Sequence, residues 1–236
     1  MKNFLFDMDG TLLPMDLNYF GKLYFGALIK WFDARGLDGK AYFDAMMKSV
    51  EAIYKGDGSK TNAQKYWECF TALTGVGEDE GNELFNAFYA SDFVAAKQSC
   101  SYSSDMVEAV RILQRAGITP YLTTNAIFPL TAIQVRLAWA GLAPSDFAYV
   151  TTLDNSHYVK PNPKYFTEVV EKFNLDPAET VVIGNDLSDD AAAKAAGLTL
   201  VIVTDWIVNG DRPNVADYTV RAHELPALIQ TLIEQN

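Results

Sequence analysis

A chain of 236 residues, 49% hydrophobic and 13% aromatic, can bury one large α/β core or a core with a modest second domain. Its net charge of −11 argues against nucleic acid, which wants a basic stripe, but leaves a small phosphorylated substrate open, because a bound metal reverses the local field. The apolar N-terminal run stops at Asp7, and the stretch near Phe25 is broken by Lys30, so neither a secretory h-region nor a membrane span is expected and a cytoplasmic protein is.

The first apolar run, residues 3–6, predicts a strand that ends at Asp7. No convincing strand follows until Ile118. The interval predicts four helices instead, over residues 17–34, 40–54, 62–73 and 80–91, with glycines such as Gly36, Gly56 and Gly75 in the breaks. Beyond it, apolar runs at 118–122, 147–150, 181–183 and 200–203 alternate with helical patterns, the signature of a parallel sheet with crossover helices. Met106, Val110 and Leu113 mark one helix, begun by Asp105. Phe166, Val169, Val170 and Phe173 mark another, headed by Pro161 and Pro163, and a last helix is expected over 224–234. Two units follow: a core of residues 1–15 and 97–236, and a helical insert of 16–96.

Four strand ends carry chemistry. Asp7-Met8-Asp9-Gly10-Thr11 puts two carboxylates in one turn, so one can attack while the other handles a proton. At the next strand end, the Thr124 hydroxyl and the amides beside Asn125 can donate to a phosphoryl oxygen. Lys160 precedes the proline-headed helix, where it can neutralise developing charge. Asn185-Asp186-Leu187-Ser188-Asp189-Asp190 gathers oxygen ligands suited to a hard cation such as magnesium, and its like charges would be costly without one.

In this order the four pieces resemble the haloacid dehalogenase-like superfamily at all four of its motifs, over residues 4–197. The resemblance implies an α/β, Rossmann-like doubly wound core with a smaller all-helical cap. It also implies a Mg2+-dependent phosphohydrolase acting through an aspartyl-phosphate on a small phosphorylated metabolite. Asp7 would be the nucleophile and a metal ligand, and Asp9 the general acid and base with its carbonyl on the metal. Thr124 would bind the phosphoryl group, with Gly10, Thr11 and Asn125 beside it, and Lys160 would clamp its charge. Asp186 would be the metal carboxylate and Asn185 a neutral ligand, while Asp189 and Asp190 compete for the last motif position. A carboxylate at Asp9 implies a phosphatase or phosphomutase rather than a dehalogenase, because an alcohol leaving group needs a proton. A phosphomutase, a phospho-acceptor domain and a silent binding module stay open as alternatives. Substrate and oligomeric state are not legible.

Of the remaining features, Cys69 and Cys100 have no metal-type spacing and read as small hydrophobes. His157, three residues from Lys160, is a lesser candidate for the site. The stripe of Tyr19, Phe20, Tyr24 and Phe25 reads as core between cap and body rather than a substrate cradle. Lys22, Lys55, Lys60 and Lys65 are the cap cations that could meet a second anion.

Overall fold

The structure, a computed structural model, describes residues 1–234. Strand β1 (Asn3–Phe6) enters the centre of a sheet, and a block of four helices follows it: α1 (Leu17–Asp33), α2 (Gly39–Tyr54), α3 (Asn62–Thr74) and α4 (Glu78–Tyr89). Each begins on its own signal. Asp16 and Asp38 accept from the backbone of the first turn, Thr61 and Gln64 form a reciprocal capping box, and α4 starts on Glu78, Asp79 and Glu80, which suit the positive end of its dipole. Ring contacts fill the space between these helices. Tyr66 stacks on Phe70 with centroids 5.7 Å apart, and Phe32 meets Phe85 edge-on at 5.7 Å.

The sheet resumes after α5 (Ser104–Arg115) with β2 (Tyr121–Leu122), then α6 (Leu130–Trp139), β3 (Tyr149–Val150), α7 (Lys164–Lys172), β4 (Thr180–Gly184), β5 (Thr199–Val203), β6 (Tyr218–Val220) and α8 (Leu225–Glu234). All pairs are parallel and the order is β3-β2-β1-β4-β5-β6. This is the doubly wound order in which strand sequence reverses beside β1, leaving a crevice at the carboxyl ends of β1 and β4. Strand β4 is buried at every position, so its run of valine and isoleucine needs no polar alternation.

Two elements have no sequence expectation. Strand β6 is a three-residue edge strand, Tyr-Thr-Val, without an apolar run. Helix α6 follows a turn-forming stretch, and the charged Arg136 falls on its buried face with Ala132, Ile133 and Leu137, which hides its period. The acidic loop runs into a 3-10 segment, Asp190–Ala196, closed by Gly197 at φ 77°. Among the described residues no helix is long and apolar enough to cross a membrane.

The helical block is fastened to the sheet at the start of α3. Asn62, fully buried, donates from Nδ2 to the carbonyls of Ala126 (3.0 Å) and Tyr158 (3.1 Å). Its backbone N–H and that of Ala63 donate to Ser156 and Leu153, both at 2.8 Å. The free amides of a helix N-terminus are thus satisfied by core carbonyls.

Candidate active site

Strand β1 delivers Asp7 to the crevice, where its N–H extends the ladder to Ile183 O at 2.8 Å. The chain then turns back: Leu13 N–H donates to Met8 O and Gly10 N–H to Leu13 O, each at 2.8 Å, and the Asp9 carbonyl accepts neither bond. Gly10 is required twice over. Its φ is +86°, and a Cβ there would meet Asn185 Nδ2 at 2.2 Å. Asn185 holds the first and fourth loops together, accepting from Thr11 Oγ1 (3.0 Å) and donating to Trp206 O (2.5 Å). Gly10, Thr11 and Asn185 thus form the frame, and of the three only Asn185 lines the cavity.

The cavity holds about 190 Å3, and Asp7, Asp9, Thr124, Asn125, Lys160 and Asp186 face it with Asp189 and Asp190. Thr124 is pinned through its carbonyl, which accepts from Thr151 Oγ1 and Tyr165 Oη, both at 2.7 Å. No described residue engages its hydroxyl. Asn125 Nδ2 reaches Asp189 Oδ2 and, from the helical block, Tyr54 Oη, each at 3.1 Å. Lys160 is 1% exposed and bridges Asp7 Oδ1 at 2.8 Å and Asp190 Oδ1 at 2.6 Å.

The structure separates the two adjacent aspartates. Asp190 points inward: its second oxygen accepts from the backbone N–H groups of Asn185 (2.9 Å) and Asp186 (3.0 Å). A Cβ at Gly184 would lie 2.1 Å from that oxygen, so glycine is the residue that fits. Asp189 meets only Asn125 and stands nearer solvent. Asp186 Oδ1 accepts from the N–H groups of Ser188 and Asp189 and from Asn209 Nδ2, which fixes its plane.

Burial drives the Asp7 carboxyl up to about 7; Lys160 pulls against this, and Asp190 and Asp9 add to it. Burial would lower the Lys160 ammonium, but Asp190 and Asp7 hold it well above its ordinary value. Asp189 is raised to about 6, by burial and then by Asp186. Lys160 is shared between two carboxylates, so it neutralises neither fully.

One residue escaped sequence reasoning. Arg136, in the middle of α6, is fully buried and bonds Asp9 Oδ2, with its guanidinium carbon 4.1 Å from the Phe128 ring centre. An arginine inside the apolar run Ala-Ile-Gln-Val-Arg-Leu-Ala-Trp was the available signal, since charge is rarely buried unpaired. His157 turns elsewhere: its Nδ1 pairs with Glu168 at 2.6 Å and it does not line the cavity. The cap lysines do not line it either, and Lys55, Lys60 and Lys65 bond Glu51, Glu68 and the His157 carbonyl.

The donor set suits a hard divalent cation. Five carboxylates face or border the cavity, against one ammonium and the buried guanidinium of Arg136. Among the described residues no three His, Cys, Asp or Glu side chains gather as a ready-made cage. Magnesium needs none, because it uses one or two carboxylates, a carbonyl and several waters.

Comparison with known proteins agrees with this geometry. The chain is 26% identical over 238 residues to a phosphoglycolate phosphatase of Vibrio parahaemolyticus, covering 98% of this chain and 96% of that protein. It is 21% identical over 141 residues to the pyrophosphatase PpaX of Bacillus velezensis, where the match covers 60% of this chain and only 63% of the relative. Among solved structures, CbbY from Rhodobacter sphaeroides in complex with phosphate shares the fold, with a TM-score of 0.62 and 20% identity over 95% of this chain and 96% of that one. The model of the haloacid dehalogenase-like hydrolase family matches residues 1–197, and the chain belongs to that family.

Proposed function

We propose that the chain is a magnesium-dependent phosphatase that passes the phosphoryl group of a small monoester through Asp7 to water, with residues 16–96 acting as a cap over the site. The observation that carries this is the Asp7–Lys160–Asp190 bridge at the end of β1, in an acidic cavity that Asp9 also lines. Relatives named as a phosphoglycolate phosphatase and a pyrophosphatase support it.

An Asp7 oxygen attacks phosphorus as the bond from phosphorus to the alcohol oxygen breaks, and Asp9 gives that oxygen its proton. Asp9 then takes a proton from a water that attacks the aspartyl-phosphate, releasing phosphate and restoring Asp7. Lys160 and the Thr124 hydroxyl stabilise charge on the phosphoryl oxygens. Asp7, the Asp9 carbonyl and Asp186 are the groups that would hold magnesium, which supplies Lewis-acid neutralisation of those oxygens. Tyr54 reaches Asn125 from the cap, so cap closure completes the wall around the reacting atoms.

The test is acid quenching during turnover of acetyl phosphate with magnesium. Phosphate should be found on the peptide carrying Asp7, and none on Asp7→Asn, whose turnover should drop by orders of magnitude. Chelator should abolish turnover and magnesium restore it. Wild-type rates in Asp7→Asn would overturn the proposal.

A further inference from the structure

A second cavity, of about 150 Å3, adjoins the catalytic one where the helical block meets Ile127, Phe128, Pro129 and Leu153. Phe20, Ile127 and Phe128 line both, so the two spaces meet at these three side chains. The aromatic stripe of α1 therefore does more than join cap to body: Phe20, Tyr24 and Phe25 form one wall of this space. Its opposite wall is thioether, aliphatic and indole. Of the polar side chains in the lining, the Tyr24 and Tyr89 hydroxyls engage each other at 3.1 Å and Tyr24 also meets Met46 Sδ at 3.7 Å, which leaves the uncharged Tyr66 and Asn82. Trp67 lines the space too, 6% exposed, and its Nε1–H has no hydrogen-bond partner.

Among the described residues no lysine, arginine or histidine lines this cavity. Lys160 faces only the catalytic cavity, and Arg136 lines neither. An alcohol carrying a carboxylate or a second phosphate would bring a charge against a wall with no cation to pair it, which is costly. An uncharged apolar group gains by entering. Apolar cavities of about 150 Å3 stay dry in proteins and accept a benzene-sized molecule.

We infer that this cavity is the alcohol subsite, and that the substrate is the phosphate monoester of an uncharged alcohol bearing a benzene-sized apolar group. The inference rests on the phosphatase reading above and narrows it. It sets this chain apart from its phosphoglycolate-hydrolysing relative, whose substrate carries a second anion.

The experiment compares kcat/KM, with magnesium, for benzyl phosphate, ethyl phosphate and phosphoglycolate, with acetyl phosphate as a general donor. Benzyl and ethyl alkoxides are of similar basicity, so their ratio reports on binding of the organic group. A pocket contact of a single methylene is worth about 10–200-fold, so benzyl phosphate should lead ethyl phosphate by about 100-fold, with phosphoglycolate slowest. Val50→Trp and Met47→Trp, both on the cavity wall, should each reduce the benzyl-to-ethyl ratio by at least about tenfold. Met47 is 40% exposed, so its substitution tests the pocket even where Val50→Trp disturbs packing. Equal rates on benzyl and ethyl phosphate, or a preference for phosphoglycolate, would overturn the subsite while turnover of acetyl phosphate upheld the phosphatase. Failure to hydrolyse any of the four would remove both.

Discussion

Arg136, fully buried on α6, bonds one carboxylate oxygen of Asp9 and donates from Nε to the Ala132 carbonyl at 3.4 Å, while Asp9 Oδ1 and Arg136 Nη2 are buried and unbonded. A guanidinium stacked on Phe128 cannot swing away cheaply, so Asp9 is held in one rotamer with one oxygen left for chemistry. Arg136 is thus a positioning residue for the acid and base of the proposed mechanism.

Because the two act as a unit, Arg136→Gln should lower kcat on an alkyl phosphate about as much as Asp9→Asn, roughly 10²–10⁴-fold. The double variant should be little worse than either single one. Losing one partner of a buried pair also costs about 3–5 kcal/mol, so urea unfolding should accompany the kinetics. Losses that multiply in the double variant would show that Arg136 works independently of Asp9.

Asp190 and Asp189 make a second contrast. Asp190 receives the buried Lys160 and two backbone amides, whereas Asp189 receives one amide of Asn125. Asp190→Ala should cost about 3–5 kcal/mol, because a buried ammonium loses half of its compensation. Its turnover should fall by orders of magnitude. Asp189→Asn should stay within about tenfold of wild type, on the ground that a single partly exposed hydrogen bond is worth about 1 kcal/mol. Equal damage from the two substitutions would refute the assignment of Asp190 to the last motif position.

Asp9 can be tested through the leaving group. An alkoxide is too basic to depart unprotonated, while nitrophenolate leaves readily. Asp9→Asn should therefore slow an alkyl phosphate far more than p-nitrophenyl phosphate, and its aspartyl-phosphate should persist longer after acid quench. Equal losses on both esters, with no trapped intermediate, would make Asp9 a structural turn residue.

What was legible in the sequence was local. Asp7, Thr124, Lys160 and Asp186 each close or follow a short apolar strand, and parallel topology carries such ends to one crevice. Which of Asp189 and Asp190 turns inward was not legible, because it depends on a 3-10 turn whose Asp190 carboxylate fits only against a glycine at 184. Arg136 was missed for a related reason: its partner lies 127 residues away, and no spacing rule joins them. The apolar space beside the site is a product of how α1, α2, α3 and α4 pack against residues 127–129 and Leu153, so the stripe on α1 alone could suggest only core.

The acidic cavity also makes stability depend on pH in a direction that can be worked out. Burial raises Asp7 to about 7, with Asp190 and Asp9 adding to it, and raises Asp189 to about 6, with Asp186 adding. A carboxyl raised in the folded state favours folding while protonated, so its contribution is complete below its unfolded value and is lost as pH rises through the folded one. Burial also pushes Asp146 and Asp217 up, but hydrogen bonds and nearby cations hold them below the usual range. Their contribution disappears only as pH falls below about 4, which keeps it out of the comparison. Between about pH 5 and pH 8, then, the metal-free protein should lose stability through Asp7 and Asp189. A cation bound to the native state reverses this, adding about 2.7 kcal/mol at a hundred times its Kd, or roughly 5–10 °C in Tm for a chain of this size. It competes with protons for Asp7, so the gain should be small near pH 5 and full near pH 8, in this approximate range. Thermal melts with chelator and with magnesium across that range provide the check, with Asp7→Asn as the control that should flatten much of the slope. A magnesium shift of the same size at every pH, or none at all, would mean that the ion does not meet Asp7, and the metal assignment would have to be abandoned.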